Sequence, residues 1–240
     1  MRATEFEFRN RFWVIGVIFM IGFLLYNLDH RNAAQRLIDW IAPKLNGDDV
    51  KERHALTCIF LSGTGLAVLA AMLRTWATAY LKNEVVHDAR LHADQLMVDG
   101  PYRRVRNPLY LGLLLLSFAG APMASGIGAA WIIAAITMFA LRLIGREEME
   151  LSAQLGKPYH RYRAAVPRLL PALWPRVPAA GSSPQWGRAL VGEAFFWIFA
   201  AAIATFALTL DLRIAGAACF AAVAFYLLVH LTVLRVKKPA

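Results

Sequence analysis

The apolar residues of this chain are gathered in blocks that are long enough to form membrane-spanning helices. Two blocks, 12–28 and 55–73, lie in the first third of the chain, and two more, 189–210 and 214–234, lie at its end. About 20 consecutive apolar residues suffice for a helix to cross a bilayer. Each block is therefore predicted to form one membrane span.

The apolar region 109–144 is different, because Pro122 and Gly126 interrupt it. Its first piece, 109–121, would extend only roughly 20 Å as a helix, whereas the hydrocarbon core is about 30 Å thick. The sequence therefore predicts a short central helical hairpin with spans 109–121 and 127–144. Together with the other four blocks, this gives an all-α polytopic membrane protein of about six transmembrane helices.

The composition agrees with this fold class. Of the 240 residues, 58% are apolar and 18% are charged, whereas soluble domains have roughly 45–50% and about 25%. Lys and Arg outnumber Asp and Glu by 26 to 16, which gives a net charge of +10. In a membrane protein this excess indicates topology and affinity for anionic headgroups, so membrane lipids are the expected partners and nucleic acid is not. Cys58 and Cys219 lie inside apolar blocks and are expected to be packing residues.

Basic residues are concentrated in segments that six spans would place on one side of the membrane. These segments are the N-terminal flank, residues 74–106, residues 146–188 and the C-terminal tail. The loop 29–54 balances its basic residues with acidic ones. We therefore expect cytoplasmic N- and C-termini, in a bacterial inner membrane. Within the outer loop, residues 34–45 have helical apolar spacing and are predicted to form an interfacial helix.

Residues 175–188 are rich in Pro, Gly and Ser and are predicted to be a linker. The linker would separate a membrane core, residues 1–174, from a C-terminal transmembrane hairpin, residues 189–240. The last two spans would then be an appended module.

Two polar segments flank the central hairpin, and they contain the candidate chemistry. The first, residues 99–112, reads DGPYRRVRNPLYLG. Its prolines and glycines exclude regular helix before Pro108, so the helix begins there with unpaired N–H groups close to several arginines. Such a helix start suits a carboxylate or a phosphate, although an arginine anchor for lipid headgroups fits the same residues.

The second segment, residues 142–168, follows the hairpin. Glu147 and Glu148 fall on overlapping helical stripes with leucines, so at least one carboxylate is expected against apolar surface. A solvated acidic turn is the alternative. Arg142 lies within the apolar stretch, where a charge is costly enough to indicate function.

These segments together resemble one family of proteins. The pattern GPYRxVRNPxYxG, then RxxxxEExxL beyond a hairpin, then GxxYxxYxxxVP resembles the integral-membrane methyltransferases typified by isoprenylcysteine carboxyl methyltransferase, and the related phospholipid N-methyltransferases. The resemblance covers residues 95–171. It implies S-adenosylmethionine as cofactor, with S-adenosylhomocysteine as product, bound at the cytoplasmic end of the hairpin and covered by cytoplasmic segments. It also implies a lipophilic or lipid-modified acceptor that arrives from the bilayer.

Position by position, the resemblance implies three roles for individual residues. Arg142, Glu147 and Arg106 are expected to act in catalysis, and Arg142 and Arg168 to bind the substrate. Asn107 departs from the pattern, because most carboxyl methyltransferases of this family have histidine there. Asn keeps a hydrogen-bond donor and acceptor but cannot carry charge. The expected cofactor-binding residues are Tyr102, Arg106, Asn107, Tyr110, Leu111, Gly112, Glu147, Glu148, Tyr159 and Tyr162.

The chemistry of the acceptor is left open between two classes. Methyl transfer from a sulfonium chiefly requires the protein to align acceptor and methyl group and to exclude water. A carboxylate acceptor, which is the first expectation, needs a cation such as Arg142 or Arg106 to hold one oxygen. An amine acceptor, as in phospholipid N-methylation, would need a base such as Glu147, Glu148 or a tyrosine.

Three other functions are weighed against methyl transfer. No metal or haem is expected, because His87 and His92 are not spaced like two ligands on a helix face. A membrane lipid reductase with a similar Arg-x-Pro-x-Tyr-x-Gly turn is an alternative that the pair Glu147 and Glu148 disfavours. A non-enzymatic carrier that uses Glu193 in the fifth span is another. The sequence does not indicate an oligomeric state.

Overall fold

The computed structural model describes residues 2–45, 48–81 and 97–236, and within these ranges the chain is helical without a named strand. The predicted all-α class is therefore confirmed. His87, His92 and residue 95, where the family resemblance begins, lie outside the described residues. The α-helices are α1 Glu5–Arg9, α2 Arg11–Leu24, α3 Ala33–Ile41, α4 Asp49–Tyr80, α5 Pro108–Gly120, α6 Gly126–Leu155, α7 Lys157–Ala165, α8 Trp186–Gly192, α9 Ala194–Thr209 and α10 Leu212–Val236.

The apolar helices coincide with the six predicted blocks. Among the described residues, α4 and α6 are each long and apolar enough to cross a membrane, and α8 with α9 would form a third span bent by 60°. Shorter apolar helices fall at Arg11–Asn27, Pro108–Met123 and Leu212–Leu227. A count of six spans, and the side on which each terminus lies, stay predictions.

Helix α4 is longer than the predicted span 55–73, because a polar cap extends it at its start. The side chain of Asp48 accepts a hydrogen bond from the backbone N–H of Lys51, and acidic residues occupy the first turn. A carboxylate at this position is attracted to the positive end of the helix dipole. Helix α3 covers most of the stretch 34–45 that was predicted to be helical, but it ends at Ile41 and leaves the Trp40 side chain 82% exposed. Its position at the membrane interface stays a prediction.

The central hairpin has the predicted form, and its second helix extends far beyond the apolar block. A 3-10 turn at Ala121–Met123 joins α5 to α6, and the Ser125 side chain caps α6 by accepting from Gly128 N–H. Helix α6 continues without a break to Leu155, where Gly156 adopts a positive φ of 57°. Because the helix is continuous, the polar segment after the hairpin is fixed rigidly to the span.

Small residues allow the helices to approach closely. A Cβ atom at Gly128 would lie 2.1 Å from the carbonyl oxygen of Gly22, where α2 crosses α6. A Cβ atom at Gly63 would lie 2.9 Å from the carbonyl oxygen of Ala119, where α4 crosses α5. Close backbone contact of this kind is a common basis of helix packing in lipid.

The stretch predicted as a linker, 175–188, lies against the polar turn before α5. Both Asp99 carboxylate oxygens accept backbone N–H groups over 2.7 Å, from Ala180 and from Ser182. Further on, α9 packs along α4 through a cluster that includes Ala70 and Phe196. The division into a core, a linker and an appended hairpin stays a prediction.

Candidate functional site

A cavity of about 690 Å³ lies beside the C-terminal half of α6, which supplies most of its lining. This volume is within the range of small-molecule and cofactor sites, about 300–1,000 Å³. Among the described residues, the lining combines apolar side chains with four arginines and one carboxylate, so the cavity suits a ligand with both apolar and anionic parts. It comprises Arg2, Met138, Leu141, Arg142, Gly145, Glu148, Met149, Ser152, His160, Arg163 and Arg168.

The carboxylate of Glu148 joins the polar segments on both sides of the hairpin. Its side chain is buried, with Oε1 3.2 Å from Nη2 of Arg106 and Oε2 3.1 Å from Nη2 of Arg168. Asn107 Nδ2 donates to Glu148 Oε1 over 3.3 Å and to the carbonyl oxygen of Arg168 over 3.1 Å. Four of the residues expected from the sequence therefore form one hydrogen-bonded network at the edge of the cavity.

Backbone contacts explain why the network assembles. Arg106 N–H donates to the carbonyl oxygen of Pro167 over 2.9 Å. The Arg106 side chain reaches α7 and donates through Nη1 to the carbonyl oxygen of Arg163 over 2.8 Å. The segment after α7 is thus held against the turn before α5, which places Arg168 opposite Glu148.

Glu147 lies on a different face of α6 from Glu148. Consecutive helical residues are about 100° apart around the axis. Tyr110 Oη donates to Glu147 Oε1 over 2.6 Å, and Arg11 Nη1 lies 3.9 Å from the same oxygen. The sequence leaves open which glutamate faces the pocket, and among the described residues the cavity is lined by Glu148.

Gly112 provides space for another side chain. A Cβ atom at Gly112 would lie 2.4 Å from Cγ of Arg74. Arg74 donates to the carbonyl oxygen of Leu109 over 2.9 Å and forms an ion pair with Glu193, with Nε 2.6 Å from Oε2. Gly112, Tyr110 and Leu111 are not part of the cavity lining. Gly112 lies against Arg74, and Tyr110 packs on the core cluster that includes Ile18 and Phe139.

Arg142 lies on the cavity surface and is already paired. Its Nη2 donates to Glu7 Oε2 over 2.6 Å, and its carbonyl oxygen accepts from Ala3 N–H over 3.1 Å. The backbone N–H of Thr4, followed by Arg142, lowers the pKa of Glu7 below its usual value. Glu7 is not among the residues expected from the sequence motifs, although Thr4-x-x-Glu7 forms a capping box that the sequence shows.

Three tyrosines predicted to bind the cofactor are not part of the cavity lining. Tyr162 Oη donates to the carbonyl oxygen of Tyr102 over 2.9 Å, and Tyr159 packs beside it in one buried cluster with Val166. Burial raises the pKa of Tyr159 to about 12 and raises the pKa values of Tyr102 and Tyr162 as well. All three phenols are therefore neutral near pH 7, which disfavours them as bases.

Two arginine nitrogens at the site have unused donor capacity. Nε of Arg106 and Nε of Arg142 are buried and have no hydrogen-bond partner among the described residues. A buried donor without an acceptor is costly, so both nitrogens suit a ligand that brings oxygen atoms. No group of three His, Cys, Asp or Glu residues gathers in the described part of the chain.

Residues 58–157 match the phospholipid methyltransferase family model. The phospholipid methyltransferase match begins within α4, contains Asn107, Arg142, Glu147 and Glu148, and stops at the start of α7. It confirms the family resemblance over this segment. With the apolar helices, it supports a membrane methyltransferase that acts on lipid substrates.

The phospholipid methyltransferase match leaves the N-terminal segment, Arg168 and helices α8 to α10 outside. No curated protein and no solved structure matches the chain. The roles of individual residues therefore depend on the geometry of this chain.

Proposed function

We propose that this protein transfers a methyl group from S-adenosylmethionine to a lipophilic acceptor in the membrane, and that the acceptor is a carboxylate. The cavity beside α6 carries the proposal. Met138, Leu141 and Met149 provide apolar surface for a hydrocarbon group, while arginines line the same space. An acceptor with an apolar body and an anionic end matches both parts of this lining.

The residues of the Glu148 network fit the cofactor. S-adenosylmethionine supplies a methyl group that is already activated on a sulfonium. Arg106 offers a buried Nε without a partner among the described residues, which suits the carboxylate of the amino-acid portion. Glu148 is the acidic group on the cavity lining, and it suits the ammonium or hydroxyl groups of the same ligand.

The remaining predicted cofactor residues take supporting roles in this proposal. Tyr102, Tyr159 and Tyr162 hold the turn before α5 against α7. Tyr110 holds Glu147 and thereby fixes α5 against α6. Gly112 lets Arg74 pack closely against α5, and Leu111 beside it lies outside the cavity lining. The tyrosines and Gly112 therefore act on the site through the backbone they position.

Electrostatics favour a carboxylate acceptor over an amine. Four arginines line the cavity, and both oxygens of its one carboxylate lie within 3.2 Å of Arg106 and Arg168 nitrogens. A protonated amine would meet net positive charge and would find no free base. A carboxylate needs no base, and Arg142 is positioned to hold one of its oxygens while the other attacks.

Phospholipid N-methylation is the second candidate, and the name of the matching family favours it. In that case Glu148 would act as the base. Arg168, whose side chain is 42% exposed, would have to move away from it first. A membrane lipid reductase and a carrier are further alternatives, without a comparable observation in their favour.

Ligand binding tests the class of the protein. In detergent, calorimetry with S-adenosylmethionine and S-adenosylhomocysteine should show binding that Glu148→Gln weakens and Arg161→Ala preserves. Arg161 is the matched control, because it is exposed on α7 and lies outside the cavity lining. If the folded wild-type protein binds neither ligand, the proposal is overturned.

The acceptor class is tested with a radiolabelled methyl donor. Vesicles should contain either a farnesylated cysteine derivative or phosphatidylethanolamine. Alkali releases methanol from a methyl ester, whereas an N-methyl product is stable to alkali. The expected result is alkali-labile label that is lost in Arg142→Ala and retained in Arg161→Ala. Alkali-stable label in phosphatidylethanolamine would establish the second candidate instead.

A further inference from the structure

The turn that follows α7 exposes three large apolar side chains. Leu170, Leu173 and Trp174 are 81%, 83% and 77% exposed. Pro171 and Pro175 lie between and after them, so the turn cannot be regular helix. A contiguous apolar cluster on a loop marks an interaction surface, because isolated exposed apolar residues are ordinary and clusters are not.

Hydrogen bonds fix this turn beside the start of α5. Ala172 N–H donates to the carbonyl oxygen of Arg104 over 2.9 Å. The Arg104 side chain donates in return to the carbonyl oxygen of Leu173 over 3.0 Å. Arg104 lies only four positions before Pro108, where the apolar helix α5 begins. The apolar cluster is therefore held at the level where α5 would leave the bilayer.

The basic residues around the turn indicate which kind of partner it contacts. The exposed arginines Arg163 and Arg176 flank it, and the sequence contains no acidic residue between Glu150 and Glu193. Basic residues beside exposed leucine and tryptophan are typical of surfaces that bind anionic lipid, with the aromatic ring at the headgroup level. A partner with an acidic headgroup region and an apolar interior fits both features.

We propose that residues 169–174 insert into the leaflet at which α5 begins. Leu170, Leu173 and Trp174 then lie below the headgroups, while the flanking arginines contact lipid phosphates. Arg168 immediately precedes this segment and also lines the cavity. The inserted turn thus borders the route by which a lipid enters the cavity, a step that rests on the function proposed above.

Insertion is measured without any assay of activity. An environment-sensitive fluorophore is attached at Leu173→Cys in a Cys58→Ala, Cys219→Ala background and reconstituted in phosphatidylcholine and phosphatidylglycerol vesicles. We expect blue-shifted emission that doxyl-labelled lipids quench. The matched control is Ser183→Cys, on the exposed polar part of the chain, with water-like emission and no quenching. Water-like emission at residue 173 would overturn the proposal, as would a blue shift that doxyl lipids leave unquenched, since a protein surface would then cover the turn.

The access role is tested by kinetics in the same vesicles. Replacing Leu170 and Leu173 together by Gln should raise KM roughly tenfold for a long-chain acceptor, and leave kcat and the KM of a short, water-soluble acceptor unchanged. Equal losses for both acceptors would contradict the access role. If the fluorophore inserts but the protein does not bind S-adenosylmethionine, the insertion of the turn is supported and only the function proposed above is refuted.

Discussion

The carboxylate of Glu7 lies 2.6 Å from Nη2 of Arg142, although 135 residues separate them in sequence. This contact brings the N-terminal segment to the cavity, which Arg2 also lines. A carboxylate is therefore already bound to the arginine that is proposed to bind the acceptor carboxylate.

We predict that Glu7→Gln lowers KM for a carboxylate acceptor several-fold, because the acceptor no longer competes with Glu7 for Arg142. The expected change corresponds to about 1 kcal/mol, the upper range for a partly exposed ion pair. Glu5→Gln is the control, because Glu5 pairs with Arg146, which is not on the cavity lining. A raised KM in Glu7→Gln would show that the pair positions Arg142 and does not compete with the acceptor.

The same pair predicts a pH dependence of stability. The folded-state pKa of Glu7 is lowered from 4.5, first by the Thr4 backbone N–H and then by Arg142. A lowered pKa means that the stabilisation is fully present above the unfolded-state pKa and is lost as pH falls through the folded-state pKa. The difference in Tm between wild type and Glu7→Gln should thus be constant near neutral pH and disappear in acid. A difference that grows on acidification would contradict this assignment.

Replacing each of the two glutamates of α6 separately should show which face of the helix binds the cofactor. Glu148→Gln is expected to weaken S-adenosylmethionine binding roughly tenfold or more and to cost about 2 kcal/mol of stability, because it leaves two arginines without their anion. Glu147→Gln keeps an oxygen that accepts from Tyr110 and should weaken binding less. Calorimetry and thermal unfolding of both variants provide the measurement, and the reverse order of effects would place the cofactor on the Glu147 face.

Asn107 offers a test of the departure from the family pattern. Its amide nitrogen donates hydrogen bonds to both Glu148 and the carbonyl oxygen of Arg168. Asn107→Ala should reduce stability by about 1–2 kcal/mol, and Asn107→Asp should reduce it more, because a second carboxylate would face Glu148. Asn107→His keeps a donor and should retain S-adenosylmethionine binding. If Asn107→Asp were as stable as wild type, the described contact with Glu148 would be wrong.

Local pattern was enough to predict the helices, and the family resemblance pointed to the residues of the Glu148 network. Apolar blocks and the Pro and Gly positions predict the hairpin, and the motifs of the resemblance contain or adjoin Arg106, Asn107, Glu148 and Arg168. Which glutamate faces the cavity depends on the rotation of α6, and this is set by packing such as the contact between Gly22 and Gly128. The helical period of the apolar residues alone does not determine that rotation.

Contacts between residues far apart in sequence could not be predicted in this way. Glu7 with Arg142 and Arg74 with Glu193 are pairs between different helices, and single-sequence pattern gives no distance between them. Composition also gives no indication that a stretch rich in Pro, Gly and Ser is held by Asp99. A buried carboxylate can fix a segment that has no helical or strand periodicity of its own.

Asp99 is predicted to control how firmly that stretch is held. Burial opposes its ionisation, yet the backbone N–H groups of Ser182, Ala180 and Gly181 lower its pKa below 3.8. Asp99→Asn should therefore speed proteolysis within residues 178–183 at neutral pH, because one of the two acceptor oxygens becomes an NH2 donor and the negative charge is lost. Acidification through the lowered folded-state pKa of Asp99 should have a similar effect on the wild-type protein. Asp211→Asn, which affects a different turn, is the control, and equal cleavage of all three proteins would contradict the role of Asp99.

Variants of Glu193 test whether its carboxylate forms a structural ion pair or carries protons in a carrier. Its carboxylate accepts from Arg74 Nε over 2.6 Å and from Thr78 Oγ1 over 2.7 Å, and its side chain is only 7% exposed. Because Arg74 also holds the carbonyl oxygen of Leu109, the pair connects α9 to the start of α5. Removing one partner of a buried pair costs about 3–5 kcal/mol, so Glu193→Ala should lower Tm strongly.

A matched variant separates the charge of Glu193 from its hydrogen bond to Thr78. Thr78→Val removes that hydrogen bond, keeps the ion pair with Arg74 and should cost about 1 kcal/mol. In vesicles with an imposed pH gradient, Glu193→Gln should leave proton flux unchanged, since the carboxylate serves to hold Arg74. A normal Tm in Glu193→Gln combined with loss of a proton-driven flux would instead establish the carrier. A lowered Tm with unchanged flux is the expected result, and it would assign α9 to the support of the site through Arg74.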